Sequence, residues 1–355
     1  MRYTHSVFVN ILFIWGLVGC GGNKEIVDKP GNGTPIDSTA LTYVNPVFQP
    51  VLADPTIVES DGFFYAYGTE DNWGVEGGYH LVPVVKSKNL VKWTFQKDAF
   101  VKKPVWKPQG GIWAPDVTVV DGKFLMYYSF STWGDVNPGI GLAIADNPEG
   151  PFIDQGKVFN SAEIKVDNSI DPFLFVEEGV KWLFWGSFHG IYAVRLSNDG
   201  LHAEGEKVHV AYNHLEGVYV HKRNGFYYLF GSQGTCCEGA NSTYHVRVGR
   251  STELLGPYVD KAGNDLLKGE YGELFLKGND GAKGFAGPGH SAEIITDDEG
   301  TDWQLYHAML KSYAVLSNGT NRRSLMLDKI IWEDNWPRIE GHQPSILRQN
   351  GPVFN

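Results

Sequence analysis

The chain has 355 residues, 42% of them hydrophobic and 14% aromatic, enough to bury one large core or two smaller ones. A formal net charge of −11 argues against nucleic acid as a partner, because phosphates demand clustered Lys and Arg. A neutral glycan tolerates such a surface, and a polyanionic one is disfavoured.

The first twenty residues read as a targeting segment. Arg2 opens a short basic region, Val7 to Val18 is mostly apolar, and Leu17-Val18-Gly19-Cys20 closes it. The apolar run is too short to cross a bilayer. Residues 1–20 resemble a bacterial lipoprotein signal in which Cys20 becomes the lipidated first residue; an ordinary secretory signal with an incidental Cys is the alternative. The resemblance implies a protein of the cell envelope, attached to a membrane only through that anchor. Residues 21–42, including Pro30-Gly31-Asn32-Gly33, lack an apolar period and are expected to form a flexible tether.

From residue 43 onward, helical periodicity is scarce and strand-like runs recur between Gly, Asn, Asp and Pro turns. Five times a polar residue opens a short apolar strand: Asp54-Pro55-Thr56, Asp116-Val117-Thr118, Asp171-Pro172-Phe173, Glu216-Gly217-Val218 and His290-Ser291-Ala292. Turn pairs follow four of them, at Asp61-Gly62, Asp121-Gly122, Asn224-Gly225 and Glu299-Gly300. An aromatic-rich second strand follows each. A degenerate repeat of roughly 45 to 75 residues built of hairpins predicts an all-β five-bladed β-propeller over residues 43–355. Placed at equivalent positions, the five opening residues converge on a central funnel.

Convergent carboxylates suit glycoside hydrolysis, which needs one protonated and one ionised carboxyl across the cleaved bond. Asp54 and Asp171 precede Pro and each also suits a turn. Glu216, between Leu215 and Gly217-Val218-Tyr219, has no turn to form, and burial there raises its pKa towards that of a working acid. A third carboxylate beside the acid holds its proton by repulsion. Trp113, Trp133 and Phe188 are candidate flat faces for a sugar, although packing between blades is the commoner task of such residues. His290, flanked by Gly287-Pro288-Gly289, is expected to point to the axis. Adjacent Cys236-Cys237 either close a vicinal disulfide or remain buried thiols, and no metal spacing surrounds them.

Asp54-Pro55, Trp113-Ala114-Pro115-Asp116, Ile170-Asp171-Pro172, Glu216-Gly217-x-Tyr219 and Gly287-Pro288-Gly289-His290, in this order, resemble glycoside hydrolase family 43. Cys236-Cys237-x-Gly239, Ser242-Thr243-Tyr244, Val248-Gly249-Arg250-Ser251, Gly256-Pro257-Tyr258 and Asn335-Trp336-Pro337 look more narrowly like its arabinanases. The likeness spans roughly residues 43 to 340. It implies an inverting enzyme acting on α-1,5-linked arabinan or arabino-oligosaccharides. Asp54 then resembles the general base, Glu216 the general acid and Asp171 the modulator of its pKa. Trp113 resembles an aromatic of the sugar-binding subsite, and Asp116, Trp133 and Phe188 are expected to face the substrate with it. Calcium near the axis, held by His290 and water, is implied as well, although one imidazole is an unusual sole protein ligand for it.

Three stretches depart from the simplest pattern: residues 69–78, Trp133, and a charged, Gly-rich connection at 261–284. They leave endo- and exo-action open. The rivals are an exo-acting arabinofuranosidase or β-xylosidase on the same fold, and a non-catalytic glycan-binding propeller.

Overall fold

The computed structural model describes residues 41–355; the expected signal and nearly all of the expected tether lie outside the described residues. The fold begins slightly earlier than the tether was expected to end. Leu41 accepts a backbone bond from Gly351, and Thr42–Tyr43 pairs antiparallel with Gln349–Asn350.

Five antiparallel sheets follow one another along the chain as the blades of a propeller. Blade 1 comprises Thr56–Ser60, Phe63–Tyr67, Pro83–Ser87 and Thr94–Asp98. Blade 2 comprises Gly111–Val120, Lys123–Ser131, Gly139–Ala145 and Ile153–Asn160. Blade 3 comprises Phe173–Glu177, Val180–Trp185, Ile191–Leu196 and Ala203–Ala211. Glu216–Arg223, Phe226–Gln233, His245–Ser251 and Glu273–Leu276 form blade 4. Blade 5 uses Phe285–Gly289, Asp302–Leu310, Ser324–Glu333 and Trp336–Ile339, with Ile295–Thr296 added beside its second strand.

Local chemistry sets these hairpins. Asp61-Gly62, Asp121-Gly122 and Asn224-Gly225 carry positive φ at both positions, the turn that matches the twist of paired strands. Blade 3 makes the same turn at Glu178-Gly179, which the sequence disguised because Glu seldom adopts that conformation. In blade 5, Gly300 instead closes a loop organised by Asp297, whose carboxylate accepts the N–H groups of Glu299 and Thr301. The Gly-rich stretch at 261–284 is not simply a connection, since it contains the outer strand of blade 4.

The second strands are buried along most of their length because each blade packs both faces on its neighbours. Phe173 of blade 3 meets Tyr219 of blade 4 edge to face at 5.2 Å, and Tyr228 of blade 4 meets Trp332 of blade 5 at 5.0 Å. A cavity of about 500 Å³ opens at the end of the axis away from the strand-opening residues, lined by Ile57, Val117, Phe173, Tyr219 and Glu293 among others.

Both chain ends are held on blade 5. Residues 45–52 run beside its third strand, with Val47 N–H on the Leu325 carbonyl and Leu52 N–H on that of Arg323. Asn45 is the latch. Its amide donates to the Leu327 carbonyl (2.9 Å), Asp328 (3.1 Å) and Ser345 (3.0 Å), and its oxygen accepts the Leu327 N–H at 2.9 Å. Asn45→Ala leaves a buried N–H and a buried carbonyl without partners, each a penalty of about 1–3 kcal/mol. Denaturant unfolding of that variant is expected to show a stability lower by about 2–4 kcal/mol. An unchanged midpoint would refute the latch.

Candidate active site

One residue in the left-handed region marks each inner strand, just ahead of it in blades 1 and 3, within it in blades 2 and 4, and directly after Phe285–Gly289 in blade 5. These are Asp54 (φ 51°), Ala114 (φ 42°), Asp171 (φ 57°), Gly217 (φ 57°) and His290 (φ 53°). The backbone therefore sets a register that differs from the sequence-based one in two blades. Asp116 lies two residues inside blade 2, and Glu216 stands one residue ahead of its blade's kink.

The preceding blade fixes each kink by taking its backbone N–H. Thr69 Oγ1 accepts from Ala114 (2.9 Å), Ser129 Oγ from Asp171 (2.8 Å), Ser232 Oγ from His290 (2.9 Å), and His307 Nδ1 from Asp54 (3.1 Å). Between blades 3 and 4 the pattern changes. Gly217 N–H donates to Asp171 Oδ2 at 3.1 Å, and Ser187 Oγ donates instead to Glu216 Oε2 at 2.7 Å. A repeated structural link has been redirected onto two carboxylates.

Asp54, Asp171, Glu216 and His290 all meet at this end of the axis. Arg323 Nη1 donates to both Asp54 oxygens, at 2.8 and 3.0 Å, and Thr69 Oγ1 donates to Oδ2 at 2.6 Å. His290 and His307 place their Nδ1 atoms 3.5 and 3.4 Å from Asp54 Oδ1. Burial alone would raise the Asp54 pKa, but Arg323, the two histidines and Thr69 outweigh it and hold the carboxylate well below its usual range. Glu216 goes the other way. Burial pushes it up to about 7, reinforced by the Asp54 charge and opposed by the Ser187 and Tyr244 hydroxyls. Asp171 is likewise raised, first by burial and then by repulsion from Glu216 and Asp54. Asp171 and Glu216 thus titrate as a pair. Asp171 is the more buried of the two, at 8% exposure, while Glu216 reaches further towards solvent.

The expected sugar-facing residues divide. Trp113 immediately precedes the Ala114 kink, and its ring lies 5.9 Å from that of Trp133, which is 81% exposed. Phe188 is 38% exposed and left-handed, and its N–H is held by the Leu215 carbonyl beside Glu216. Asp116 departs from expectation: it is buried on the axis, accepts the Leu174 N–H at 2.8 Å and hydrogen-bonds Glu293. It links blades rather than facing a ligand.

Arg323, Tyr244, Thr69, Ser187 and His307 belong to the site and were not singled out from the sequence. Asp71, whose carboxyl is raised by burial and lowered by nearby Arg323, joins them at the rim. Cys236 and Cys237 form a vicinal disulfide, and Asn321 grips that loop by donating to the Cys237 carbonyl and accepting the Gly239 N–H.

For a metal, His290 presents one imidazole, kept neutral because burial lowers its pKa more than Asp54 raises it. Among the described residues, no three His, Cys, Asp or Glu side chains form a metal-binding group. A cation here would have one nitrogen donor from the chain and would complete its shell with water, which hard-cation chemistry accepts.

Comparison with known proteins decides the family. Glycosyl hydrolases family 43 matches residues 43–337. The chain belongs to this family. It is a glycosidase of the O-glycosyl-hydrolysing kind, with an arabinanase-like sequence throughout the propeller. It is 33% identical to the extracellular endo-α-(1→5)-L-arabinanase 1 of Bacillus subtilis, covering 81% of this chain and 87% of that protein. It is 29% identical to an extracellular exo-α-(1→5)-L-arabinofuranosidase of Cellvibrio japonicus, with 81% and 86% covered. The structure of Cellvibrio cellulosa α-L-arabinanase complexed with arabinohexaose superposes with a TM-score of 0.71 at 27% identity, over 84% of this chain and all of that one.

Proposed function

We propose that this glycosidase hydrolyses α-1,5-L-arabinofuranosidic bonds in arabinan or arabino-oligosaccharides with inversion, using Asp54 as base and Glu216 as acid. The observation that supports the assignment is the opposite electrostatic treatment of two carboxyls at one end of the axis. Asp54 stays ionised beside Arg323, while Glu216 keeps a proton to near neutral pH.

In this reading Glu216 gives its proton to the glycosidic oxygen as the bond from that oxygen to the anomeric carbon breaks. A water attacks the same carbon from the opposite face and passes a proton to Asp54, which leaves one inverted sugar and one free alcohol. Inversion needs the two carboxyls about 6.5–9.5 Å apart. The Arg323 pair makes Asp54 a weaker base while ensuring its charge, and Thr69 fixes its orientation. Asp171, set behind the acid, raises the proton affinity of Glu216 and fixes the following peptide through Gly217. Trp113, Trp133 and Phe188 supply apolar faces for the sugar rings.

We also assign to His290 the single protein contact of a bound calcium. When bound, that ion would supply fixed positive charge at His290.

Purified protein is expected to release sugar from linear arabinan, and the product sizes separate endo- from exo-action. Asp54→Asn and Glu216→Gln should each lower turnover by at least about 10²-fold with melting temperatures near that of the wild type. Near-normal release by either folded variant would overturn the role given to it. Aryl-xyloside cleavage without arabinan cleavage would move the substrate to xylose.

Activity in this scheme needs protonated Glu216, so the alkaline limb of the rate profile reports its proton loss. In Asp171→Asn the last proton of the pair leaves without creating a second carboxylate beside the first, which lowers the Glu216 pKa. The alkaline limb should therefore move to lower pH by about one unit. An unmoved limb would refute the modulating role of Asp171. For calcium, the wild type should melt at a higher temperature with calcium than with chelator, and His290→Ala should lose that difference. Identical melting of the wild type under both conditions would remove the ion.

A further inference from the structure

Three aromatic side chains that the reaction above does not use adjoin one another where blade 3 passes into blade 4. Tyr212 and His214 occupy the link leading to Glu216, and Tyr271 lies just ahead of the outer strand of blade 4. Ring centroids are 6.0 Å apart for Tyr212 and His214, and 4.4 Å apart for His214 and Tyr271. Tyr212 is 44% exposed and Tyr271 49%. His214 Nε2 bonds the Glu270 carbonyl at 2.9 Å, which anchors the middle ring.

The cluster is continuous with the catalytic centre. His214 is two residues before Glu216, so their Cα atoms are at most about 7 Å apart. Leu215 between them is buried, and its carbonyl holds the N–H of Phe188 at 3.0 Å. From Glu216, the exposed rings therefore extend outward over the boundary of blades 3 and 4. Asp54, which leads blade 1, lies on the far side of the site.

Chemistry selects the occupant. Adjoining exposed rings form the kind of surface patch that marks a binding site. Their faces are apolar, and the two tyrosines add hydroxyls at the edge. Burial lowers the His214 pKa, so the central ring is uncharged near neutral pH. Sugar residues present the matching surface, a C–H face bordered by hydroxyls. Because Glu216 protonates the leaving oxygen, the chain beyond that oxygen departs on the Glu216 side.

We infer that Tyr212, His214 and Tyr271 form a distal platform for furanose residues on the leaving-group side of the cleaved bond. This rests on the arabinan reading given above and adds a specificity element to it. The platform engages the sugars furthest from the cleaved bond, so long chains gain more from it than short ones.

The test is a Tyr212→Ala/Tyr271→Ala double variant, assayed on linear arabinan and on arabinotriose, with melting temperature and size-exclusion profile recorded. The KM for arabinan should rise about three- to tenfold, the loss expected for aromatic contacts worth roughly 0.5–1.5 kcal/mol. Turnover number on arabinan, and kcat/KM on arabinotriose, should stay within about twofold of the wild type. Unchanged KM on arabinan, or an equal loss on both substrates, overturns the platform. A shift in oligomeric state in the variant also overturns it, by making the patch a contact between copies of the chain. Failure of the wild-type protein on both substrates instead overturns the arabinan reading, and the platform falls with it.

Discussion

The capture of one backbone N–H per blade by the blade before it is the constraint on which this molecule depends. Left-handed geometry at Asp54, Ala114, Asp171 and His290 costs about 1–2 kcal/mol per residue. It persists because the preceding blade supplies an acceptor, and an uncaptured buried N–H would cost a similar amount again. The kink tips each leading side chain towards the axis while the following residues continue as a strand. The last of these links, His307 to Asp54, joins blade 5 to blade 1 and so completes the ring at the residue that carries the ionised carboxylate. Ring closure and the placing of that carboxylate are one interaction.

The electrostatics follow from which acceptor each blade supplies. Between blades 3 and 4 the hydroxyl of Ser187 turns to Glu216, leaving Gly217 N–H for Asp171. Two acids are then packed at one boundary with no arginine between them, and burial and repulsion raise both. Blade 5 contributes the opposite sign through Arg323, which pairs with Asp54 on the other side, while His290 and His307 line that carboxylate as neutral rings. Deeper on the axis Asp116 and Glu293 repeat the theme, joined to each other and raised by burial, with Glu293 also accepting the Ile57 N–H at 2.7 Å. The propeller thus separates an ionised from a protonated carboxyl by blade, without any metal cage of side chains among the described residues.

Much of this was legible in the sequence. The Asp-Gly and Asn-Gly turns and the aromatic second strands gave the blades, because turn chemistry and strand burial are local. Asp54, Asp171, Glu216 and His290 were found because they open strands. Asp116 misled for a definable reason: blade 2 puts Ala114 at the kink, and a two-residue offset carries the carboxylate from the rim to the buried axis. A second repeat went unread. Thr69, Ser129, Ser187, Ser232 and His307 each follow the aromatic run of a second strand, as in Tyr67-Gly68-Thr69, Phe230-Gly231-Ser232 and Leu305-Tyr306-His307. Four of them are the acceptors of the ring, and Ser187 is the one that donates to Glu216 instead. Arg323 had no such signal, since its role is defined by a partner 269 positions away.

The rim loops are not independent of this centre. Asn321, Arg322 and Arg323 are consecutive, and each grips a different neighbour. Asn321 holds the disulfide loop of blade 4, Arg322 donates to both oxygens of Glu76 on the blade 1 loop at 2.7 and 2.8 Å, and Arg323 pairs with Asp54. Adjacent residues share a rigid peptide plane, so a displacement of the backbone at one of them is passed to the next. A change that moves the 71–80 loop therefore acts on the guanidinium that keeps Asp54 charged. Loops on a propeller are usually free to vary because they touch only solvent and ligand. Here the loops beside blade 5 are tied to the ionisation of Asp54, whereas the loop at Tyr271 is held by Arg247, which donates to the Gly272 carbonyl and touches neither Asp54 nor Glu216. The rim is least constrained by Arg323 where Phe188, His214 and Tyr271 stand, on the side of Glu216.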